Sequence, residues 1–256
     1  MILLRARVIP CLLLRNAGLV KTVRFGDAKY VGDPINAVKI FNEKEVDELV
    51  VFDIEASKRG AEPNYDLLAD IASECFMPVC YGGGVNSVDQ ALRIVQLGIE
   101  KIAVNAAAIS NPGLVAELSD VLGAQSVVAG IDVKSDWLGR YRVFDASSGK
   151  LTDRTPEARA EELAYAGAGE IFLNSVDRDG TQEGYDLKLI GRVAKAVSIP
   201  VIACGGGGRS EDFVSAVEAG ASAVAAGSLF VFQGRHRAVL ISYPPYKELE
   251  RLLGTK

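Results

Sequence analysis

The chain has 256 residues, of which 49% are hydrophobic, enough to bury a sizeable core in one large domain or two small ones. Its net charge of −5 gives extended nucleic-acid binding little electrostatic support. The longest apolar runs have the length of strands and end at glycines. We therefore expect neither a transmembrane helix nor a signal peptide, but a cytoplasmic protein without a membrane partner.

Short β-branched runs alternate with amphipathic helical patterns along the chain. The predicted strands are, in chain order, Val8–Leu13, Glu48–Ile54, Met77–Tyr81, Lys101–Asn105, Ser126–Val133, Glu170–Ser175, Pro200–Cys204 and Ser222–Gly227. The predicted helices are Pro34–Val46, Tyr65–Cys75, Ser87–Leu97, Pro112–Leu122, Pro156–Ala166, Leu187–Val197, Glu211–Ala219 and Tyr246–Leu253. This alternation predicts a single (β/α)8 TIM-barrel domain over residues 1–256. An open doubly wound sheet is the alternative, but its glycine fingerprint does not follow the first strand.

The two halves of the chain also resemble each other. "NYDLLADIASECFMPVCYGGG" is similar to "GYDLKLIGRVAKAVSIPVIACGGG", which places Asp66 and Asp186 at equivalent points, and "VQLGIEKIAVN" is similar to "VEAGASAVAAG". The offsets between matched positions are nearly equal. The barrel is therefore predicted to consist of two duplicated half-barrels of four βα units each.

Glycine clusters follow the third and seventh predicted strands, at residues 82–84 and 204–208. Active sites of such barrels lie at the carboxyl ends of the strands, where glycines let backbone N–H groups approach an anion. Either cluster alone is equally consistent with a tight turn. Their symmetric placement, with a short helix predicted to open at Ser228, favours two phosphate sites and a substrate phosphorylated at both ends.

Carboxylates at the same strand ends are candidates for proton transfer. Asp132 ends the apolar strand "VVAGIDVK", and Asp179 lies in "DRDGTQEG" of the other half. Asp132 could act as a general acid or base, or only order its loop. Asp179 could play the same role, hydrogen-bond the ligand or order its own loop. Asp53 is interpreted as structural.

Four charged residues begin predicted strands at the opposite end of the barrel: Arg7, Glu48, Lys101 and Glu170. Their charges sum to zero, so they could pair around the barrel axis. Their spacing alone favours four solvated strand ends.

Cysteines and histidine limit the available chemistry. Cys11, Cys80 and Cys204 lie in apolar runs, and with Cys75 they form no CxxC pair, which favours reduced thiols. His236 is the single histidine, so the chain has few residues that could form a zinc site or a histidine-based triad. We expect no metal and no cofactor.

Several segments together resemble the HisF family, the cyclase subunit of imidazole glycerol phosphate synthase. They are "IPCL", "GLVKTVRF", "GDP", "DELVVFDI", "YGGGV", "GIDVK", "GAGEIFLNSVDRDGTQEGYDL" and "IPVIACGGGG". The similarity covers nearly the whole chain. It implies a barrel that receives ammonia through its interior from a HisH-like glutaminase docked at the N-terminal face.

The resemblance also assigns roles to residues. It makes Arg7, Glu48, Lys101 and Glu170 the gate of the ammonia passage. It implies phosphate contacts at Gly84, Asn105, Gly206, Gly227 and Ser228, with Asp179 and Gly180 nearby. It matches a family lysine with Lys21 and one of two catalytic aspartates with Asp132.

The second catalytic aspartate of the family falls on Leu13, which cannot transfer a proton. Two other departures lie nearby, because Ala106 stands where the family has a hydroxyl residue and Asn174 replaces a threonine. These changes predict altered chemistry in an ammonia-accepting barrel.

The chain further resembles a branch of HisF relatives associated with glycosyl amidation in surface polysaccharide (O-antigen) synthesis, through "IPCLLL", "KYVGDPINAVKIFNEKEVDELV", "EPNYDLL", "ECFMPVCYGGG" and "RAVLISYP". Three functions stay open. They are a synthase subunit with an altered phosphorylated substrate, a working cyclase of histidine biosynthesis, and a non-catalytic activator and ammonia conduit.

Overall fold

The computed structural model describes residues 5–234 and 236–254. Eight parallel strands form the barrel: β1 (Arg7–Arg15), β2 (Leu49–Asp53), β3 (Val79–Gly82), β4 (Lys101–Val104), β5 (Val127–Ser135), β6 (Glu170–Ser175), β7 (Val201–Cys204) and β8 (Ala223–Ala226). Each strand pairs with its neighbours, and β1 pairs with β8, which closes the sheet. The predicted (β/α)8 barrel is confirmed. Of the domain predicted over residues 1–256, residues 1–4, 235, 255 and 256 lie outside the described residues.

Eight helices of eight or more residues connect or follow the strands: α1 (Pro34–Glu43), α2 (Tyr65–Glu74), α3 (Val88–Gln96), α4 (Leu114–Leu122), α5 (Pro156–Tyr165), α6 (Leu187–Ala196), α7 (Ser210–Glu218) and α8 (Tyr246–Leu253). The described residues also form the shorter helices Ala56–Arg59, Ala106–Ser110 and Ser228–Val231. Side-chain caps fix their starts. Asp33 accepts from the Asn36 N–H at the start of α1, and Thr155 accepts from the Ala158 N–H at the start of α5. No helix among the described residues is long and apolar enough to cross a membrane.

Two helix boundaries differ from the prediction by more than one residue. The helix α1 ends at Glu43 rather than Val46, because Lys44 caps it and Glu45 takes a positive φ of 53°. The helix α4 begins at Leu114, two residues after Pro112. The duplicated Asp66 and Asp186 also differ locally, since Asp186 caps α6 whereas Asp66 lies inside α2.

Side chains of the strands alternate between two buried environments. On β1, Val8, Leu12 and Leu14 pack in the large core between sheet and helices. Ile9 and Cys11 belong to a second core inside the barrel, and Leu13 packs against it. The other interior residues are Val50, Cys80, Ala103, Val128, Phe172, Ile202, Ala223 and Ala225. The interior is therefore packed and apolar.

Short antiparallel strands, which the sequence patterns did not predict, extend three loops after barrel strands. Gly18–Lys21 pairs with β1 and with Lys29–Gly32, Tyr141–Asp145 pairs with β5 and Lys150–Leu151, and Phe232–Gln233 pairs with Ala238–Val239. The first turn uses Asn16 and Ala17, both with positive φ, where glycine is the usual hairpin signal. The first two extensions stand at the carboxyl ends of the barrel strands.

Candidate active site

Asp132 faces the inside of the barrel near the end of β5 and is held by two amides. Asn105 donates from Nδ2 to Oδ2 at 2.8 Å, and Asn174 donates from Nδ2 to Oδ1 at 3.2 Å. The amides come from the end of β4 and from β6, the two strands that flank β5. The barrel geometry thus fixes the carboxylate from both sides.

The surroundings of Asp132 make proton transfer possible near neutral pH. Burial raises the pKa of its carboxyl to about 7, and the negative charge of Asp179 adds to the increase. The hydrogen bonds from Asn174 and Asn105 oppose it. A carboxyl with a pKa near the working pH can both accept and donate a proton. Asp132 is therefore chemically suited to the predicted acid/base role.

A cavity of about 330 Å³ opens above Asp132 at the carboxyl ends of the strands. Asn105, Ala106, Asn174 and Leu13 line it, so the three positions at which the chain departs from the family pattern all face this space. Leu13 points inward and is partly exposed, unlike the outward-facing Leu12 and Leu14. The β1 position that faces the cavity is therefore apolar.

The first glycine cluster forms one wall of the cavity. Gly84 has a φ of +74°, and a side chain there would collide with the Ala61 carbonyl oxygen. Its N–H donates to Ser57 Oγ at 3.2 Å. Ser57 and Lys58, on the short helix Ala56–Arg59, also line the cavity. Sequence reasoning missed both, although they follow directly after β2, where site residues are expected.

Asp53 has a structural contact in this region. One of its carboxylate oxygens accepts hydrogen bonds from the Glu55 and Ala56 N–H groups, both at 3.0 Å. The carboxylate thus orders the start of the helix that carries Ser57.

The second glycine cluster lines a smaller recess of about 30 Å³ that adjoins the cavity. Gly206 has a φ of +107°, and a side chain there would collide with the Gly184 carbonyl oxygen. The other predicted residues in this recess are Lys21, Asp179, Gly180, Gly227 and Ser228. Asp179 and Leu13 line both the cavity and the recess, so the two spaces adjoin and form one mouth.

Lys21 lies on the unpredicted strand Gly18–Lys21, which folds back along β1. It is 5% exposed, and its Nζ donates to the Cys11 carbonyl oxygen. Burial lowers the pKa of Lys21, opposed by the charges of Cys11 and Asp179. Nζ also lies against Gly227, where a Cβ atom would collide with it. The absence of a side chain at Gly227 makes room for the lysine.

Asp179 is fixed by the loop that follows Lys21. Thr22 Oγ1 donates to its carboxylate at 2.9 Å, and the Arg24 N–H donates to its carbonyl oxygen at 2.9 Å. Burial raises the pKa of Asp179, against the hydrogen bond from Thr22 and the charge of Lys21. Thr22 is a further contact that sequence reasoning missed. The only sequence signal for it is its place beside Lys21.

The cysteines are all free thiols. Cys11 and Cys204 both line the recess, and a hydrogen bond between their thiols lowers the pKa of Cys11 and raises that of Cys204. His236 is exposed and lines neither the cavity nor the recess.

The four charged residues at the N-terminal face form a closed ring of ion pairs. Arg7 pairs with Glu48 and with Glu170. Lys101 Nζ lies 3.1 Å from Glu48 and 2.9 Å from Glu170. Glu48 is 2% exposed, so the interpretation as four solvated strand ends is wrong. The ring closes the end of the barrel opposite the cavity.

Large apolar side chains are also exposed on the N-terminal face. Phe76, in the loop before β3, is 93% exposed, and Tyr165, at the end of α5, is 96% exposed. Val121, near the end of α4, is 53% exposed. These loops and helix ends all precede barrel strands and therefore lie on the N-terminal face. Exposed apolar side chains of this kind occur at protein interfaces, and the opposite face carries others, among them Tyr30 and Trp137.

Comparison with known proteins identifies the family. Residues 7–237 match the family described as histidine biosynthesis protein. A Pseudomonas aeruginosa protein with the provisional name imidazole glycerol phosphate synthase subunit hisF2 is 53% identical over 249 residues, which cover 97% of this chain and 99% of that protein. The chain belongs to the HisF family. This confirms the resemblance read from the sequence motifs.

Other HisF relatives extend the comparison. A Leptospira borgpetersenii protein, provisionally named imidazole glycerol phosphate synthase subunit HisF, is 50% identical over 252 residues, 98% of this chain and 99% of the relative. The Streptomyces griseus imidazole glycerol phosphate synthase subunit HisF is 41% identical over 229 residues, 90% and 91% of the two chains. The chain is thus a HisF-like synthase subunit with the HisF barrel.

Proposed function

We propose that this HisF-like chain is the synthase subunit of a cytoplasmic glutamine amidotransferase complex. It takes ammonia from a HisH-like glutaminase at the N-terminal face and acts on a phosphorylated substrate, in sugar amidation for surface polysaccharide synthesis. The observation that carries the proposal is Leu13. Leu13 stands where the family has a proton-transfer group, while Asp132, the two glycine clusters and the ion-pair ring are all in place.

The N-terminal face supports the proposed partner. Phe76, Tyr165 and Val121 are exposed on the same face as the ring of ion pairs and offer apolar area to a second protein. The ring itself lies where a small molecule would enter the barrel from that protein. We infer that Arg7, Glu48, Lys101 and Glu170 gate this entrance.

The barrel interior supports passage of ammonia rather than ammonium. Between the ring and the mouth the inward side chains are apolar or thiols, among them Val50, Cys80 and Val128. The free energy of moving a small neutral molecule from water into such a space is small, whereas the same transfer of an unpaired ion is strongly unfavourable. Near the mouth Phe52 and Phe172 meet edge to face, with ring centroids 5.0 Å apart. Ammonia would pass these rings to reach Asp132.

The mouth supports a substrate with an anionic group at each end. Gly84 and Asn105 lie on one side of it, and Gly206, Gly227 and Ser228 lie on the other. Lys21 lines the second side and directs an amine toward it. Asp132, between these regions, is the proposed general acid/base, and Lys21 and Asp179 complete the proposed catalytic group.

A working cyclase of histidine biosynthesis is the second candidate. The 41% identity with the Streptomyces griseus HisF and the retained Asp132, Lys21 and Asp179 favour it. In that case another group must take over the proton transfer that Leu13 cannot perform.

The partner is tested with surface variants on opposite faces. Phe76→Ser and Tyr165→Ser should weaken binding of a HisH-like glutaminase encoded beside this protein, without loss of stability. Trp137→Ser is the matched control, because Trp137 is 89% exposed but follows β5 at the other face. Equal binding by all three variants in calorimetric titration would remove the N-terminal face from the proposal.

The substrate is tested with the reconstituted complex. Given glutamine, it should support amidation of an N-acetylated sugar by an added amidotransferase, and turn over the histidine-pathway substrate poorly. Fast cyclisation of that substrate would establish the second candidate instead. Glutaminase activation with neither product would establish the non-catalytic conduit.

A further inference from the structure

We propose that Asn174 is a positioning residue for Asp132, kept at a cost in stability because its amide holds the carboxylate in one orientation. The inference rests on the proton-transfer role of Asp132 in the proposed function. Asn174 itself is given no role by the family resemblance, which has a threonine at this position.

The register of the barrel brings the two residues together. Asn174 on β6 is the direct partner of Asp132 on β5 in the parallel ladder. Its Nδ2 donates to Oδ1 of the carboxylate at 3.2 Å, while Asn105 donates to Oδ2 at 2.8 Å. Because each oxygen accepts from a different strand, rotation of the carboxylate breaks at least one hydrogen bond.

The same side chain leaves an acceptor without a partner. Asn174 is 9% exposed, and its Oδ1 is buried with no hydrogen bond to any described residue. A buried unpaired carbonyl oxygen is unfavourable, and an apolar side chain of similar size avoids that cost. Packing therefore does not account for an asparagine here. The hydrogen bond that Asn174 Nδ2 donates to Asp132 accounts for it.

The other groups around Asp132 show why a donor matters. Asp179 from the loop after β6 and Asp145 from the strand paired with β5 both place negative charge toward it, and Cys11 of β1 faces it as well. Leu13 and Phe172 add apolar walls to the same cavity. Burial and these charges all favour the protonated acid. Asn105 and Asn174 are the side chains, within residues 5–234 and 236–254, that donate to the carboxylate and favour its ionised form.

The test is an NMR titration of the Asp132 side-chain carboxyl carbon, assigned with Asp132→Asn, and it needs no substrate. Asn174→Leu removes donor and orphaned acceptor together. The proton affinity of Asp132 should rise by about tenfold, since a hydrogen bond to a charged group is lost. The urea midpoint of unfolding should not fall. Asn36→Leu, at an exposed position on α1, is the control and should leave the titration unchanged.

Asn174→Asp is the second, nearly isosteric variant, and it remains informative if Asn174→Leu does not fold. It replaces the donor with a second carboxyl, so Asp132 and the introduced carboxyl should share a proton and titrate in two separated steps. A single, unshifted midpoint in either folded variant overturns the proposal. A variant that loses stability while the titration midpoint of Asp132 stays unchanged also overturns it, because Asn174 would then have a purely structural role.

Kinetics separate this inference from the proposed function. If the complex turns over a phosphorylated substrate, Asn174→Leu should lower kcat at neutral pH and move the acid limb of the pH profile upward. KM for that substrate should change less than about twofold, because the variant leaves the two glycine clusters unchanged. If the wild-type complex turns over no substrate, the proposed chemistry fails, while the titration still decides the role of Asn174.

Discussion

Leu13 on β1 is the register partner of Phe52 on β2, and both side chains line the cavity. This pair makes one side of the mouth apolar, whereas the facing side carries Asp132 between two amides. Leu13 therefore removes one carboxyl from the mouth, so that the proposed proton transfer is left to Asp132 and Asp179.

The first prediction concerns Leu13. A missing general acid/base group lowers turnover by about 10²- to 10⁴-fold, equivalent to roughly 3–5 kcal/mol of barrier. The wild-type chain, assayed at saturating ammonium with the histidine-pathway substrate, should fall short of an ordinary HisF by that factor. Leu13→Asp should regain part of it, limited by Ala106 and Asn174. Leu12→Asp is the control: it places a charge in the outer core and should unfold the protein.

The second prediction concerns pH and stability. The folded state raises the pKa of Asp132 from its ordinary value of 3.8 to about 7, mainly through burial. Asp132 therefore favours folding at low pH, and this contribution is lost as pH rises through about 7, by at most about 4 kcal/mol. Asp132→Asn should remove the dependence, so that the urea midpoints of variant and wild type diverge in favour of the variant as pH rises from about 4 to about 7.

Asp136 supplies a control of opposite sign for this titration. The hydrogen bond from the Arg140 backbone N–H lowers the pKa of its carboxyl. Its contribution is present at neutral pH and is lost as pH falls. Asp136→Asn should therefore lower stability at neutral pH and match the wild type in acid. A wild-type curve that matches Asp132→Asn at every pH would contradict the burial of Asp132.

A third prediction concerns the ring of ion pairs. Lys101→Met leaves Glu48 and Glu170 with Arg7 alone, and an uncompensated buried carboxylate costs about 3–5 kcal/mol of unfolding free energy. The same variant should release more glutamate per product in the complex. Lys39→Met is the matched control, because its ion pair with Glu74 is exposed and is worth less than about 1 kcal/mol. An unchanged ratio of glutamate to product would rule out a gate at Lys101.

The fourth prediction concerns the two anion sites. Crystals grown with phosphate should hold one ion near Gly84 and Asn105 and one near Gly206 and Ser228. Gly206→Ala should empty the second site and lower stability, because the methyl group collides with backbone. Gly139→Ala, with a φ of +72° but open space around it, is the control for positive φ alone and should leave both ions bound. Occupancy of one site only, at high phosphate, would leave the doubly anionic substrate without support.

Much of the fold followed from local patterns. The alternation of apolar strands with helices predicted the barrel, and the two glycine clusters marked the strand ends at which the cavity lies. Their equivalent positions in the two halves predicted that both belong to one mouth. Such patterns suffice because strand and helix periodicity, together with the side of a barrel on which loops lie, are set by short-range geometry.

Other features depended on contacts between distant segments. Nothing in the spacing of Arg7, Glu48, Lys101 and Glu170 showed that they pair, and spacing alone favoured the wrong interpretation. The strand Gly18–Lys21 was missed because its Asn16–Ala17 turn lacks the usual glycine, yet it carries Lys21 to Gly227.

The sequence by itself determined the order of the barrel strands and placed Leu13 and Asp132 near the carboxyl ends of two of them, which predicted that both face the same mouth. Only the tertiary structure decided that Asp132 lies between two amides and that Asn174 leaves an acceptor unpaired. The reason is physical. Side-chain direction along a strand follows from the backbone, whereas a hydrogen bond across neighbouring strands depends on register, and burial depends on the whole closed barrel.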